Sequence, residues 1–135
     1  DESSMKKNGN KKMSILIAED NLVNQKVAIA TLKKLGCKLE VADNGKIALD
    51  MHKKNRYDVI LMDIMMPVMD GFEATKQIRR WEDENGFEDQ VKIIAMTANA
   101  MKEDRQRCLD AGMDEYLSKP FKASELSRML EEINK

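Results

Sequence analysis

An α/β fold built on a parallel five-stranded sheet is predicted by three observations. From Ser14 onward, short apolar runs alternate with longer stretches of helical period, the pattern of a sheet covered by helices. Five such strand–helix pairs follow one another. The third and fourth apolar runs are the most hydrophobic, as strands buried on both faces must be.

The strands are placed at Ser14 to Ala18, Lys38 to Ala42, Tyr57 to Met62, Val91 to Met96 and Glu115 to Ser118. In the first helix Val23, Val27 and Ala30 recur at helical spacing and are expected to face the sheet. The second helix is read over Gly45 to Lys54. The third opens at Asp70 or Gly71, because Asp70 followed by Glu73 resembles a capping box with Asp in place of Ser or Thr. The acidic segment Glu82 to Gln90 contains Asn85-Gly86 and predicts a loop longer than the others. The fourth helix is read over Met101 to Ala111. The last carries Ala123, Leu126, Met129, Leu130 and Ile133 on one face.

A chain of 135 residues fits one domain with a real core. Its 23 Lys+Arg and 24 Asp+Glu nearly cancel, so no global field draws it to nucleic acid or anionic membrane. Apolar runs such as Val59 to Met62 are far below the roughly 18 residues of a membrane span. Cys37 and Cys108 lack metal or redox spacing and are read as half-buried thiols in a reducing compartment. His52, the only histidine, is read as a solvated helix position, and most of the methionines as core filler. The chain begins with Asp1, and its opening is polar and aperiodic. Residues 1–13 are therefore expected to be a linker or an engineered remnant such as a processed tag, ahead of a domain at 14–135 cut from a longer protein.

Polar residues that a core would not choose stand at the carboxyl ends of four strands. Glu19 and Asp20 follow the first, Asp63 the third, Thr97 the fourth and Lys119 the fifth. In a flavodoxin-like doubly wound (βα)5 fold of order 2-1-3-4-5, strands one and three adjoin at the switch point, and ligands bind outside the carboxyl ends there. Three carboxylates, a hydroxyl and an ammonium should converge in one cleft. Crowded carboxylates need raised pKa values or a cation, and hard oxygen donors fit Mg2+. Asp20 and Asp63 are the expected direct ligands. An Asp63 oxygen is then placed to attack phosphorus in line and form an acyl phosphate. Lys119 would neutralise one phosphoryl oxygen and Thr97 would donate a hydrogen bond to another. Any one of these residues alone is weak evidence, since Asp often caps a helix after a strand; joint placement of five is not.

On these residues the chain resembles the receiver domains of two-component response regulators. The matching runs are Ile15-Leu16-Ile17-Ala18-Glu19-Asp20-Asn21, Leu61-Met62-Asp63-Ile64-Met65-Met66-Pro67-Val68-Met69-Asp70-Gly71, Met96-Thr97-Ala98 and Lys119-Pro120-Phe121. Glu19-Asp20-Asn21 with Asn24-Gln25, and Thr97-Ala98-Asn99-Ala100-Met101, resemble in particular the receivers of hybrid histidine kinases. The resemblance implies Asp63 as phosphoacceptor, Asp20 as a direct metal ligand, Glu19 as a ligand through water and the backbone carbonyl of Met65 as a third protein ligand. The implied ion is Mg2+, with Mn2+ as an alternative. Thr97 and Tyr116 would form a switch pair, and a cis bond before Pro120 would aim Lys119 into the cleft. Met65 and Asn99 occupy positions that tune dephosphorylation in this family.

The implied function is a signalling switch in a two-component phosphorelay. It takes a phosphoryl group from a phosphohistidine donor with Mg2+ and changes its helix 4, strand 5 and helix 5 surface. The implied partner is a histidine kinase transmitter domain or a histidine phosphotransfer protein. Neither nucleic acid nor membrane is contacted directly, and the domain is a monomer or weak dimer. It is cytoplasmic, with a membrane-anchored parent left open. The fragment is not a conventional enzyme, but it catalyses its own phosphorylation and dephosphorylation; a hybrid histidine kinase is one candidate parent. Three rivals stand beside this reading. A haloacid dehalogenase-type phosphatase would need a second Asp where Met65 stands. A degenerate receiver would lack the intact acidic set, and a transcription factor would need a DNA-binding segment.

Overall fold

The computed structural model describes residues 6–7, 11–98, 102–119 and 121–133. Strands β1 (Ser14–Ala18), β2 (Lys38–Ala42), β3 (Val59–Asp63), β4 (Lys92–Thr97) and β5 (Glu115–Ser118) form one parallel sheet in the order β2-β1-β3-β4-β5. Helices α1 (Leu22–Lys34), α2 (Gly45–Asn55), α3 (Gly71–Glu84), α4 (Lys102–Ala111) and α5 (Ala123–Ile133) connect and follow them. This is the fold and strand order expected from the sequence. Asp63 and Thr97 close their strands rather than follow them. Ahead of the sheet Lys6–Lys7 and Lys11–Lys12 pair antiparallel, and Met13 is buried in the core.

Side chains alternate across the sheet, as the pleat requires. Ile15, Ile17, Val59, Leu61, Ile94 and Met96 pack with Ala28 and Leu32 of α1 and Leu126 and Leu130 of α5. Leu16, Ala18, Ile60, Met62, Ile93 and Ala95 pack on the other face with residues of α2, α3 and α4. The strand order reverses between β1 and β3, which pair from Ile15 with Val59 to Ala18 with Met62. A crevice at their carboxyl ends is the consequence.

Helix α1 corrects the expected face. Val23 and Val27 are 68% and 49% exposed and Ala30 is exposed, while Gln25, Ala28 and Leu32 are buried. Apolar residues occupy much of the helix circumference, so two stripes of helical spacing exist, and the polar Gln25 disguises the one that packs.

His52, expected in solvent, is fully buried, and so is Glu82, expected in an acidic loop but lying within α3. These two corrections have one cause. His52 Nδ1 accepts the Tyr57 N–H at 3.1 Å, and its Nε2 lies 3.6 Å from Glu82 Oε2. Glu82 accepts Arg79 Nη1 at 2.8 Å and the Val91 N–H at 2.7 Å. Arg79 also donates to the Gly112 carbonyl and to Asp114, each at 2.9 Å, and Asp114 takes the Ile93 N–H at 2.9 Å. Glu82 and Asp114 are thus satisfied by donors from several segments, whereas His52 Nε2 faces Glu82 beyond hydrogen-bond distance. Cys108 is likewise buried rather than half-buried, while Cys37 is partly exposed.

Helix α3 starts as predicted, with Asp70 Oδ1 accepting the Glu73 N–H at 2.8 Å. Just before it Val68 adopts a φ of 68°, a region that β-branched residues rarely enter. Gly71 is required by close approach: a Cβ there would lie 2.3 Å from the Asp63 carbonyl oxygen. Gly71→Ala is expected to cost about 2 kcal/mol through overpacking. A lower urea midpoint at unchanged slope would register it.

Candidate functional site

Because the strands are parallel, the ends of β1, β3, β4 and β5 deliver Glu19, Asp20, Asp63, Thr97 and Lys119 to one edge of the sheet. Glu19, Asp20 and Asp63 can each place one carboxylate oxygen within 4.8 Å of the others. Lys119 Nζ lies 2.7 Å from Glu19 Oε1 and 3.1 Å from Asp63 Oδ1. Glu19, Asp63 and Thr97 are buried, and Asp20 is exposed, so the cluster opens to solvent on the Asp20 side.

Local bonding explains this placement. The Glu19 N–H donates to the Ala42 carbonyl at 3.0 Å, extending the β1–β2 ladder past the last paired residues. The Asn21 N–H donates to Glu19 Oε2 at 3.1 Å, while Asn21 Oδ1 caps α1 by accepting the Asn24 N–H at 3.0 Å. The Ile64 N–H reaches the Met96 carbonyl at 3.1 Å, which ties the segment after Asp63 to β4. The Lys119 N–H donates to the Thr97 carbonyl at 2.7 Å and brings those two segments together.

The electrostatics follow from burial and charge. Burial, and then the Glu19 charge, push the Asp63 carboxyl up to about 6 against the pull of Lys119. Burial would raise Glu19 too, but the Lys119 ammonium and the Asn21 N–H outweigh it and hold that carboxyl below its ordinary value. Burial alone would lower the Lys119 ammonium; Glu19 and Asp63 instead keep it above its usual range.

Three carboxylates and one ammonium leave two negative charges (−3 + 1 = −2) in the cluster. An all-oxygen donor set carrying that charge fits a hard divalent cation. Among the other expected site residues, Tyr116 lies on β5, half-buried, with the Arg105 guanidinium 5.0 Å from its ring centroid. The Met65 side chain is exposed. An open cleft of about 250 Å³ adjoins Thr97 and is lined also by Met65, Asp70, Phe72, Ala98 and Arg107. Pro120, with its expected cis bond, and Asn99 lie outside the described residues. Two residues the sequence reading did not assign to the site, Gln25 and Asp43, are joined to it by hydrogen bonds. In the sequence Gln25 stood out only as part of Asn24-Gln25, a match to hybrid-kinase receivers, and nothing marked Asp43.

Comparison with known proteins agrees with this geometry. The family model described as the response regulator receiver domain matches residues 15–131. Hybrid signal transduction histidine kinase K of Dictyostelium discoideum is 41% identical over 122 residues, covering 88% of this chain. The chain spans only 10% of that kinase. Among solved structures, the receiver domain of the response regulator Ssk1 of Saccharomyces cerevisiae was determined with the histidine phosphotransfer signaling protein Ypd1. It aligns with TM-score 0.87 and 35% identity over 91% of this chain and 89% of that one. The receiver domain of a Pseudomonas aeruginosa sensor histidine kinase, with a magnesium ion coordinated in its active-site cleft, aligns with TM-score 0.81 and 46% identity. That alignment covers 91% of this chain and 98% of the other. Among the described residues no helix is long and apolar enough to cross a membrane.

Proposed function

The chain belongs to the response regulator receiver domain family, and on that premise we propose that Asp63 accepts a phosphoryl group from a phosphohistidine. One observation carries this reading: a buried carboxylate at a strand end lies 3.1 Å from an ammonium within an oxygen-rich acidic cluster. Glu19, Asp20, Asp63 and the backbone carbonyl of Met65 would hold Mg2+, or Mn2+ in its place. The bound ion supplies positive charge that neutralises phosphoryl oxygens.

An oxygen of Asp63 attacks phosphorus in line. The O–P bond of an acyl phosphate forms as the P–N bond breaks, and its electron pair stays on the imidazole nitrogen. Lys119 pairs with one phosphoryl oxygen and the Thr97 hydroxyl donates to another. The phosphoryl group brings up to about two negative charges. Thr97 and Tyr116 answer by moving together, and the α4, β5 and α5 surface changes its packing.

The donor is a histidine kinase transmitter domain or a histidine phosphotransfer protein. Leu22, Val23, Val27, Met65 and Val68 are exposed apolar side chains on the segments that leave Asp20 and Asp63. They suit a partner whose histidine is ringed by apolar surface. The domain, expected at 14–135 but taking in the buried Met13 as well, works in the cytoplasm as a monomer or weak dimer, without nucleic acid or membrane contact.

Incubation with acetyl phosphate, with and without Mg2+, followed by intact mass measurement tests this reading. One phosphoryl group gained only with Mg2+ and labile to alkali is the expected result. No gain from acetyl phosphate or a phosphohistidine donor would leave a degenerate interaction module. Sustained phosphate release from many small phosphomonoesters would instead favour a hydrolase.

A further inference from the structure

Helix α1 turns a glutamine toward the sheet where a leucine would pack without any polar atom to satisfy. Gln25 is 7% exposed. Its Nε2 donates to the Glu19 carbonyl at 2.5 Å and to Asp43 Oδ1 at 3.1 Å. The Glu19 N–H is already bound to Ala42, and the Glu19 carboxylate is bound to Asn21 and Lys119. With the carbonyl held as well, the peptide plane between Glu19 and Asp20 cannot rotate freely. That plane sets the direction in which the Asp20 side chain leaves the backbone.

Asp43, Asn44 and Gly45, the last of which opens α2, are three consecutive residues bonded in turn to α1, to α2 and to the loop after Asp63. Asp43 accepts from Gln25, and Asn44 Oδ1 caps α2 by accepting the Ile47 N–H at 2.9 Å. The Gly45 N–H donates to the Met69 carbonyl at 3.0 Å, in the loop that follows Asp63. A Cβ on Gly45 would lie 2.3 Å from that same oxygen, so the two segments approach as closely as glycine allows. The junction from β2 into α2 thus braces both segments that carry the carboxylates.

We propose that Gln25, braced by Asp43, is a positioning residue for the metal: it holds the Glu19–Asp20 peptide so that mutually repelling carboxylates stay converged before a divalent cation binds. The proposal rests on the metal-dependent reading of the site given above. Folding then supplies the ordering that cation binding would otherwise have to provide. Outer-shell partners of this kind typically govern metal affinity by 10- to 100-fold. Gln25→Leu, which keeps the apolar packing, should therefore weaken Mg2+ binding about tenfold.

The test titrates Mg2+ calorimetrically into the unphosphorylated protein as wild type, Gln25→Leu, Asp43→Ala and Asp43→Asn. Initial rates of phosphoryl uptake from acetyl phosphate are measured over the same Mg2+ range. The dissociation constant should rise in Gln25→Leu and, less, in Asp43→Ala. It should stay near wild type in Asp43→Asn, whose side-chain oxygen still accepts. Uptake at saturating Mg2+ should match wild type. A folded Gln25→Leu with wild-type Mg2+ affinity overturns the positioning role, whatever happens to its melting temperature or plateau rate. If Gln25→Leu does not fold, equal affinities in Asp43→Ala and Asp43→Asn overturn it instead. A wild type that binds Mg2+ but takes up no phosphoryl group refutes Asp63 as acceptor. The affinity shifts would then still support the brace, since calorimetry does not depend on transfer.

Discussion

Asp63→Asn is expected to abolish phosphoryl uptake and, in the same protein, to stabilise the metal-free fold at neutral pH. The first effect follows from chemistry: an amide oxygen is not a carboxylate nucleophile. The neighbouring Glu19 is already engaged by Lys119 and Asn21 and cannot stand in. Intact mass after incubation with acetyl phosphate and Mg2+ should show no phosphoryl adduct. The second effect follows from the Asp63 carboxyl, pushed up to about 6 by burial and by Glu19. An acid whose folded pKa lies above its unfolded value of about 3.9 binds its proton more tightly when folded. Its contribution to stability therefore falls as pH rises from about 4 to about 6 and stays low above that. Asparagine removes that cost, worth about 3 kcal/mol. Glu19 works in the opposite sense, because its lowered carboxyl stabilises the fold above its unfolded value and loses that stabilisation as pH falls through the folded one. Urea melts of both proteins without Mg2+ at pH 4.5 and pH 8 isolate the Asp63 effect. The advantage of the variant should appear at the higher pH; a variant less stable than wild type at pH 8 would mean that the pair with Lys119 outweighs repulsion from Glu19.

Glu82→Gln should produce the largest loss of stability, about 3 kcal/mol, which is the usual result of stripping one partner from a buried ion pair. Glu82 is fully buried and accepts from Arg79 and from the Val91 N–H. Burial would raise its carboxyl, but His52, the Val91 N–H and Arg79 together hold it below the ordinary value. Glutamine removes the buried one of the two carboxylates that Arg79 pairs with, leaving it Asp114, and turns an NH2 group toward donors. The sign with pH is opposite to that of Asp63. A lowered carboxyl stabilises the fold above its unfolded value, and that stabilisation is lost as pH falls through its folded value, so the gap between wild type and variant should narrow in acid. Denaturant midpoints across pH measure this, and a gap that widens in acid would contradict it. The network lies at the amino-terminal ends of β4 and β5, away from Asp63. Phosphoryl uptake by the folded variant should therefore match wild type.

The sheet and the acidic cluster were legible because their signals are local. Five apolar runs of strand length leave little choice but a sheet, and polar residues at their carboxyl ends stand out against the apolar cores they terminate. Glu19, Asp20, Asp63, Thr97 and Lys119 were found in this way, and the parallel topology then brings them to one edge of the sheet. The packing face of α1 was misread because Val23 and Val27 form a good apolar stripe, whereas the stripe that packs contains Gln25.

By itself the amino-acid sequence determined the strand order, the converging carboxylates and the family, since each depends on which residue types occur and how far apart they stand. Tertiary structure alone decided the burial of His52 and Glu82, the brace from Gln25 to Asp43 and the exposure of Val23. A polar side chain is placed in solvent or in the core according to whether a partner meets it there. The Glu82 carboxylate that His52 Nε2 faces is 30 positions away in the chain (82 − 52), and the Asp43 carboxylate that Gln25 bonds is 18 away. Such partners exist only after the chain has folded; until then hydration is the only satisfaction available to those groups.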